Sequence, residues 1–317
     1  MKRIIAAVLA ILMLAALFAG CSGEEKDAGG IKIGIAAPDV THGWVAGVAY
    51  YAEKYCKEQG IDYKITTSSD AAEMMASLND LVVWGADAIV TWPQWAGMES
   101  ACQEIIDQGI PVVSFDYDIP AEGIHKVTGN NYDMGYQSAK YIAEKVSEAA
   151  SILVMDVPSA GSVASLRKEG FYAYLTEIGY DTANIFEIAE ENFTRDNGLK
   201  DMTDVLESHD QIDAVFAMDD ELAIGAIQAI TEAARTDIKA IVGGGGMQEY
   251  FKMMKEDDYA SLGLASALYS PSMVIDAVKA AISIANGAEA EKEIVIPTAI
   301  VSAENADEYI DPENTVY

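Results

Sequence analysis

The sequence predicts an α/β protein of two similar lobes, each built on a parallel sheet. Three observations lead there. From Ile31 onward, short β-rich runs alternate with longer helical ones. Strands separated by helices of about ten or more residues form right-handed βαβ units, whose parallel sheet is covered on both faces. The alternation starts again near Ile152, and Ala86-Asp-Ala-Ile-Val-Thr-Trp92 is echoed by Ile212-Asp-Ala-Val-Phe-Ala-Met218 at a comparable place in the second series. A duplicated lobe explains this better than one large sheet.

In the first series, strands are predicted at Ile31–Ala37, Ile61–Thr67, Ala88–Trp92 and Pro111–Phe115, with a shorter one near His125–Thr128. Helices fall at about Gly43–Gln59, Ala71–Trp84 and Gly97–Gln108, and another begins at Tyr132. In the second series, strands are predicted at Ile152–Met155, Asn184–Ile188, Ala214–Met218 and Lys239–Gly243, with helices near 163–178, 195–208 and 220–234. The run Gly243–Gly246 is not a nucleotide cradle. A dinucleotide fingerprint needs glycine at 248 or 249, where Gln248 and Glu249 stand, and no Walker lysine follows. A tight strand-to-helix turn with unusual backbone angles is expected there instead.

Ahead of the body, Lys2 and Arg3 precede an unbroken apolar run from Ile4 to Phe18, which Ala19-Gly20-Cys21 closes. A charged start, a short apolar stretch and small residues before a cut describe an export signal, and the run is too short to span a bilayer. A cysteine directly after Ala-Gly looks like a bacterial lipoprotein signal, in which Cys21 would become the lipidated first residue. Phe18 stands where such boxes usually carry leucine, so an ordinary secretory signal is the alternative. Either way the protein is expected to work outside the cytoplasm. Ser22–Gly30 is small, polar and charged, and is expected to be a flexible linker.

The net charge of the 317-residue chain is −31; Lys2 and Arg3 are the only charges before Cys21, so the remainder carries −33. Such an acidic surface repels phosphate backbones and anionic lipid, which argues against nucleic acid as a partner and against membrane adhesion by charge, so that only a lipid anchor is expected to attach it. Cys56 and Cys102 lie in predicted helices; they would pair only if those helices touch, and two separate small buried residues is the plainer expectation. His42, His125 and His209 are scattered, so neither a metal nor another cofactor is expected.

Ligands of open parallel sheets bind beyond the carboxyl ends of the strands. Asp39, Thr41, His42 and Trp44 follow the first predicted strand, Trp92, Gln94 and Trp95 the third, and Asp116, Tyr117 and Asp118 the fourth. In the second series Ser159–Ser165 and Arg167 follow the first strand, Asn192, Phe193 and Arg195 the second, and Asp219, Asp220 and Glu221 the third. Trp84, inside a helix, is expected in the core, whereas Trp44, Trp92 and Trp95 fall at one rim. Aromatic faces interleaved with carboxylates suit a sugar or polyol, which has apolar C–H faces and hydroxyl edges. Asp220 and Glu221 begin a helix and are expected to serve its N-terminus; Asp219, nearest the strand end, is the better ligand partner. Nothing in the spacing fixes Asp116 and Asp219 as a glycosidase pair.

At these loops the chain resembles the substrate-binding proteins of bacterial sugar ABC transporters, of the ribose- and galactose-binding type. The resemblance is carried by Ile31–Ala37 with Trp44 downstream, Gly85–Pro93, Ile110–Asp116, Gly129–Gly135, Arg167–Phe171 and Ala214–Ala226. It implies two Rossmann-like lobes joined by a three-segment hinge, the type 1 periplasmic binding protein fold, with crossings near Asn131, Leu268 and Ile296. The lobes implied are 31–131 with 269–296 and 132–268 with 297–317, after a signal at 1–20 and an anchored linker at 21–30. It further implies Trp44 and Phe193 as ligand-stacking aromatics, Asp116 and Asp219 as hydroxyl partners, and either Arg167 or Ser165 as the second lobe's polar contact. Tyr117 stands where many members carry arginine. An acid of the family is replaced by Gly245, and a glutamine is absent from Ser266–Pro271.

The function expected is a non-enzymatic, monomeric, lipid-anchored receptor that captures a small polar solute, a sugar or polyol, and delivers it to an ABC permease. A sensory subunit for a chemoreceptor or sensor kinase is a rival, and an extracytoplasmic hydrolase using Asp116 and Asp219 a weaker one. Trp44→Ala is expected to weaken binding with unfolding little changed.

Overall fold

The computed structural model describes residues 30–40 and 43–317; Cys21 and His42 lie outside them. Two six-stranded sheets organise the chain. The first contains β1 (Lys32–Pro38), β2 (Asp62–Ser68), β3 (Ala88–Thr91), β4 (Val112–Phe115), β5 (His125–Gly129) and β11 (Glu293–Ile296). Their order is β11-β5-β4-β3-β1-β2, and every neighbouring pair is parallel. The second contains β6 (Ile152–Asp156), β7 (Ile185–Ala189), β8 (Ala214–Phe216), β9 (Ala240–Gly245), β10 (Leu264–Leu268) and β12 (Ile300–Ser302). It runs β12-β10-β9-β8-β6-β7, parallel except for β12 against β10. The first five strands of each lobe therefore follow one order, and the duplicated α/β architecture read from the sequence is correct.

The echo between the two series has a physical cause. Asp87, just before β3, accepts a hydrogen bond from the amide of Lys32 at 2.8 Å and returns its own amide to the Lys32 carbonyl at 2.8 Å. Asp213, just before β8, makes the same pair of bonds with Ser151, each at 2.8 Å. One carboxylate thus clips the first and third strands together at the start of each lobe.

In the first lobe, α1 (Gly43–Gln59), α2 (Ala71–Trp84), α3 (Met98–Asp107) and α9 (Val274–Ala285) cover the sheet. Helix α2 starts where Asp70 accepts from the Glu73 amide at 2.9 Å and ends at Gly85, whose φ of 84° only glycine adopts without strain. Trp84, expected in the core, is only half-buried. It sits at the last turn of α2, and the ammonium of Lys32 lies 5.0 Å from its ring centre. Cys56 and Cys102 are free thiols in separate apolar clusters, and burial pushes them up to about 11 and about 12.

The second lobe carries α4 (Asn131–Lys145), α5 (Ser162–Glu177), α6 (Arg195–Ser208), α7 (Asp220–Glu232) and the short α8 (Gln248–Met253). Helices α4 and α5 cross backbone to backbone. A β-carbon at Gly135 would lie 1.7 Å from the Arg167 carbonyl oxygen, and one at Gly170 would lie 1.9 Å from that of Tyr132. This crossing brings Arg167 to the start of α4.

Three passages join the lobes. The chain leaves β5 at Gly129 for α4, which packs on β9 and β10; it leaves β10 at Leu268 for α9, which packs on β3 and β4; and it leaves β11 at Ile296 for β12. No helix among the described residues is long and apolar enough to cross a membrane.

Candidate ligand-binding site

A cavity of about 230 Å³ lies between the lobes, at the carboxyl ends of their strands. From the first lobe come Trp44 in the first turn of α1, Trp92 and Gln94 after β3, and Asp116 and Tyr117 after β4. The second lobe supplies Ser159, Ala160 and Val163 after β6, Arg167 on α5, Asn192 and Phe193 after β7, and Asp219 after β8. Gly244, Gly245 and Tyr269 complete the lining.

Of the residues the sequence nominated, Trp44, Trp92, Asp116, Tyr117, Arg167, Phe193 and Asp219 meet here. Asp39 does not. Its amide extends the strand pairing by donating to the Ser68 carbonyl at 2.8 Å, and the residue is exposed outside the cavity lining. Ser165 is also exposed, its hydroxyl turned to the Ser162 carbonyl, so Arg167 is the lining residue of that helix. Trp95 packs on a separate apolar cluster and lines nothing in the cavity.

The aromatic wall is closely packed. Trp44 stacks on Phe115 with ring centres 6.0 Å apart and planes at 11°, and meets Trp92 edge-on at 5.1 Å. Its indole Nε1 donates to the Tyr269 carbonyl at 2.6 Å. Trp92 is buried, and its Nε1 has no partner among the described residues. Opposite, Phe193 lies 5.6 Å from the guanidinium carbon of Arg167, and Tyr269 lies 4.9 Å from it on another side.

Arg167 is buried and aimed by two hydrogen bonds, from Nε to Asn131 Oδ1 at 2.9 Å and from Nη1 to the Met218 carbonyl at 2.8 Å. Met218 and Asp116 are non-glycine residues held at φ of 62° and 68°, two residues beyond β8 and directly beyond β4. Such conformations persist where surrounding contacts impose them, and they collect at binding sites. Burial raises the carboxyl of Asp116 above its ordinary value, although the phenol of Tyr269, which donates to Asp116 Oδ1, pulls it down.

Asp219 has two roles. Its Oδ1 caps α7 by accepting from the Glu221 amide at 2.8 Å, while burial, reinforced by Asp220, pushes its carboxyl up to about 8. A carboxyl raised in this way can, when protonated, donate to a ligand as well as accept. Asp220 and Glu221 belong to the framework, as their place at a helix start predicts. Asp220 Oδ2 accepts from the amides of Gly246 and Met247 at 2.8 and 2.9 Å and from Ser266 Oγ at 2.9 Å. Glu221 pairs with Arg195 at 3.0 Å.

Two lobes of one topology facing a shared cavity are accompanied by a match in sequence: a model of the periplasmic binding protein domain fits residues 33–289. The chain belongs to the periplasmic binding protein domain family. Among curated relatives, the ribose import binding protein of Bacillus subtilis is 24% identical over 280 residues, covering 87% of this chain and 88% of that one. The galactofuranose-binding protein of Escherichia coli is 27% identical over 277 residues, covering 83% and 86%. A solved ABC transporter solute-binding protein from Actinobacillus succinogenes superposes with a TM-score of 0.77 at 20% identity, covering 88% of this chain and all of that one.

Two tyrosines that sequence reasoning missed stand at this periplasmic binding protein's departures from the resemblance. Where an acid is expected, Gly245 has φ of 131°, and a β-carbon there would lie 2.0 Å from the hydroxyl of Tyr317. Where the glutamine is missing, Tyr269 ends the stretch that leaves β10. Neither shows a motif. The one available signal is an aromatic residue just before Ser270-Pro271, where the chain passes between lobes.

Proposed function

We propose that the protein is a lipid-anchored, monomeric receptor outside the cytoplasm, which captures a sugar or polyol between its lobes and delivers it unaltered to an ABC permease. The observation that carries this reading is the cavity, because its lining comes from both lobes. A solute touching both Trp44 and Asp116 on one side and Arg167, Phe193 and Asp219 on the other favours the closed arrangement over the open one. Indole and phenyl faces fit C–H faces, and the carboxyl and guanidinium groups fit hydroxyl edges. A cavity of about 230 Å³ suits a ligand of monosaccharide scale. The names of the Bacillus subtilis and Escherichia coli relatives, for ribose import and galactofuranose binding, support the same ligand class. Hydrolysis is poorly served, since Asp116 is engaged by Tyr269 and Asp219 by the cap of α7.

The test is a thermal-shift screen against sugars, polyols, nucleosides and amino acids. A ligand that binds only the native state at about 100 times its Kd adds about 2.7 kcal/mol of stability. A sugar or polyol should raise the melting temperature and be recovered unchanged. A response confined to amino acids or nucleosides, or a transformed product, would overturn the reading. Replacing Cys21 should release the protein from the membrane fraction.

A further inference from the structure

Tyr269 is bound from every side. Its amide donates to the Gly245 carbonyl at 3.2 Å, and its carbonyl accepts from Trp44. Its hydroxyl lies 3.3 Å from Thr128 Oγ1, accepts from Asn131 Nδ2 at 3.1 Å and donates to Asp116 Oδ1. Its ring sits beneath Arg167 and fills the space a side chain at Gly129 would need; a β-carbon there would be 2.2 Å from it. Asn131 accepts from Arg167 with its other side-chain atom. A continuous chain of hydrogen bonds therefore runs from Asp116 through Tyr269 and Asn131 to Arg167, from the first lobe to the second, using protein groups alone.

We propose that Tyr269 is a specificity and positioning residue: its phenol supplies from within the protein a hydroxyl that Asp116 would otherwise take from the solute, and so links the lobes. A carboxylate with both oxygens free accepts two neighbouring hydroxyls of a sugar. Here Oδ1 is occupied, while Oδ2 has no partner among the described residues. The cavity thus offers that edge a single acceptor. A second ligand hydroxyl directed there would give up its water without gaining a partner, a loss on the order of tenfold in affinity. The solute selected carries one hydroxyl, not two adjacent ones, toward Asp116. The specificity half of this inference rests on the sugar or polyol reading of the cavity; the link between lobes does not.

Tyr269→Phe separates the two, because it keeps the ring packed against Gly129 and Arg167 and removes only the hydroxyl. D-ribose and D-galactose, each beside its singly deoxygenated derivatives, would be titrated by calorimetry into both proteins. In the original protein one deoxy derivative should bind at least as well as its parent. In Tyr269→Phe the parent should gain about tenfold over that derivative as Asp116 is freed. Parent-to-derivative ratios unchanged at every position would overturn the specificity role. Solution scattering from the two proteins without added sugar gives the second readout. A larger radius of gyration in Tyr269→Phe supports the link, and superimposable curves refute it. If no sugar binds either protein, the sugar reading and the specificity role fall together, and scattering still decides the link.

Discussion

The indole of Trp44 and the carbonyl of Tyr269 are joined by a 2.6 Å hydrogen bond, which fixes the first turn of α1 to the passage leaving β10. The residue proposed to stack on a ligand is thus also tied to the passage between the lobes.

Trp44→Ala should therefore do more than weaken binding. The side chain is 6% exposed and packs on Trp92 and Phe115, so truncation should cost about 3–5 kcal/mol of stability. The expectation from sequence that unfolding would be little changed does not hold for a buried ring. Trp44→Phe is the cleaner probe: it should lose about 1–3 kcal/mol by leaving the Tyr269 carbonyl unpaired. Melting curves beside calorimetric titrations of both variants check this; Trp44→Ala melting with the parent protein would contradict it.

Gly135→Ala should disturb the site from outside it. The added methyl would stand 1.7 Å from the Arg167 carbonyl, with backbone rather than a flexible side chain to displace. Forcing α4 and α5 apart should destabilise by about 1–3 kcal/mol or more and move Arg167 away from Asn131. Reduced affinity together with a lowered melting temperature is the expected pair of results.

Glu190 gives the protein a pH dependence unrelated to its ligand. It is buried after β7, neither carboxyl oxygen has a partner among the described residues, and burial, with Asp201 adding to it, pushes it up to about 8. The folded state holds a proton that the unfolded chain releases near the ordinary carboxylate value of 4.5. Its stabilising contribution is fully present below that value and is lost as pH rises through about 8, by at most about 1.4 kcal/mol per pH unit. Glu190→Gln should make that decline shallower, leaving the share that Asp219 contributes over the same range. Parallel declines in melts taken from pH 5 to 9 would show that Glu190 does not cause it.

Tyr317 makes opposite predictions for ring and hydroxyl. The ring is buried against Gly43, Gly47 and Gly245, while the hydroxyl has no partner among the described residues. Tyr317→Ala should lose about 3–5 kcal/mol, whereas Tyr317→Phe should be neutral or gain about 1 kcal/mol by removing an unsatisfied group. Nearby, Asp311 donates its amide to Gln248 Oε1 at 2.6 Å and Asn314 donates to the Tyr51 hydroxyl of α1 at 2.7 Å. Tyr317→Ala should also loosen this bridge between lobes. Chemical denaturation of both variants tests the contrast.

The first four strands of each lobe could be read from the chain because apolar runs between helices have few other ways to be buried. The short β5 was legible too, but β10, β11 and β12 were not. Glu293–Ile296 and Ile300–Ser302 are short, lie at sheet edges and alternate in exposure or pair in only three residues, so they give little periodic signal. In the cavity, Trp92, Asp116 and Asp219 were legible because each follows a strand. Tyr269 and Tyr317 were not, because their roles depend on which distant backbone they touch. The glycines at 129 and 245 record those contacts, but glycine in a sequence does not name the residue that fills its space.

The placement of α9 has a consequence for how the protein is made. Residues 274–285 cover β3 and β4 of the first lobe, yet they follow nearly all of the second lobe in the chain. A polypeptide emerging amino end first must carry that oily sheet surface uncovered until almost its full length is available, the interval in which chaperones matter most. The lobe begun first must wait for a helix made after most of its partner.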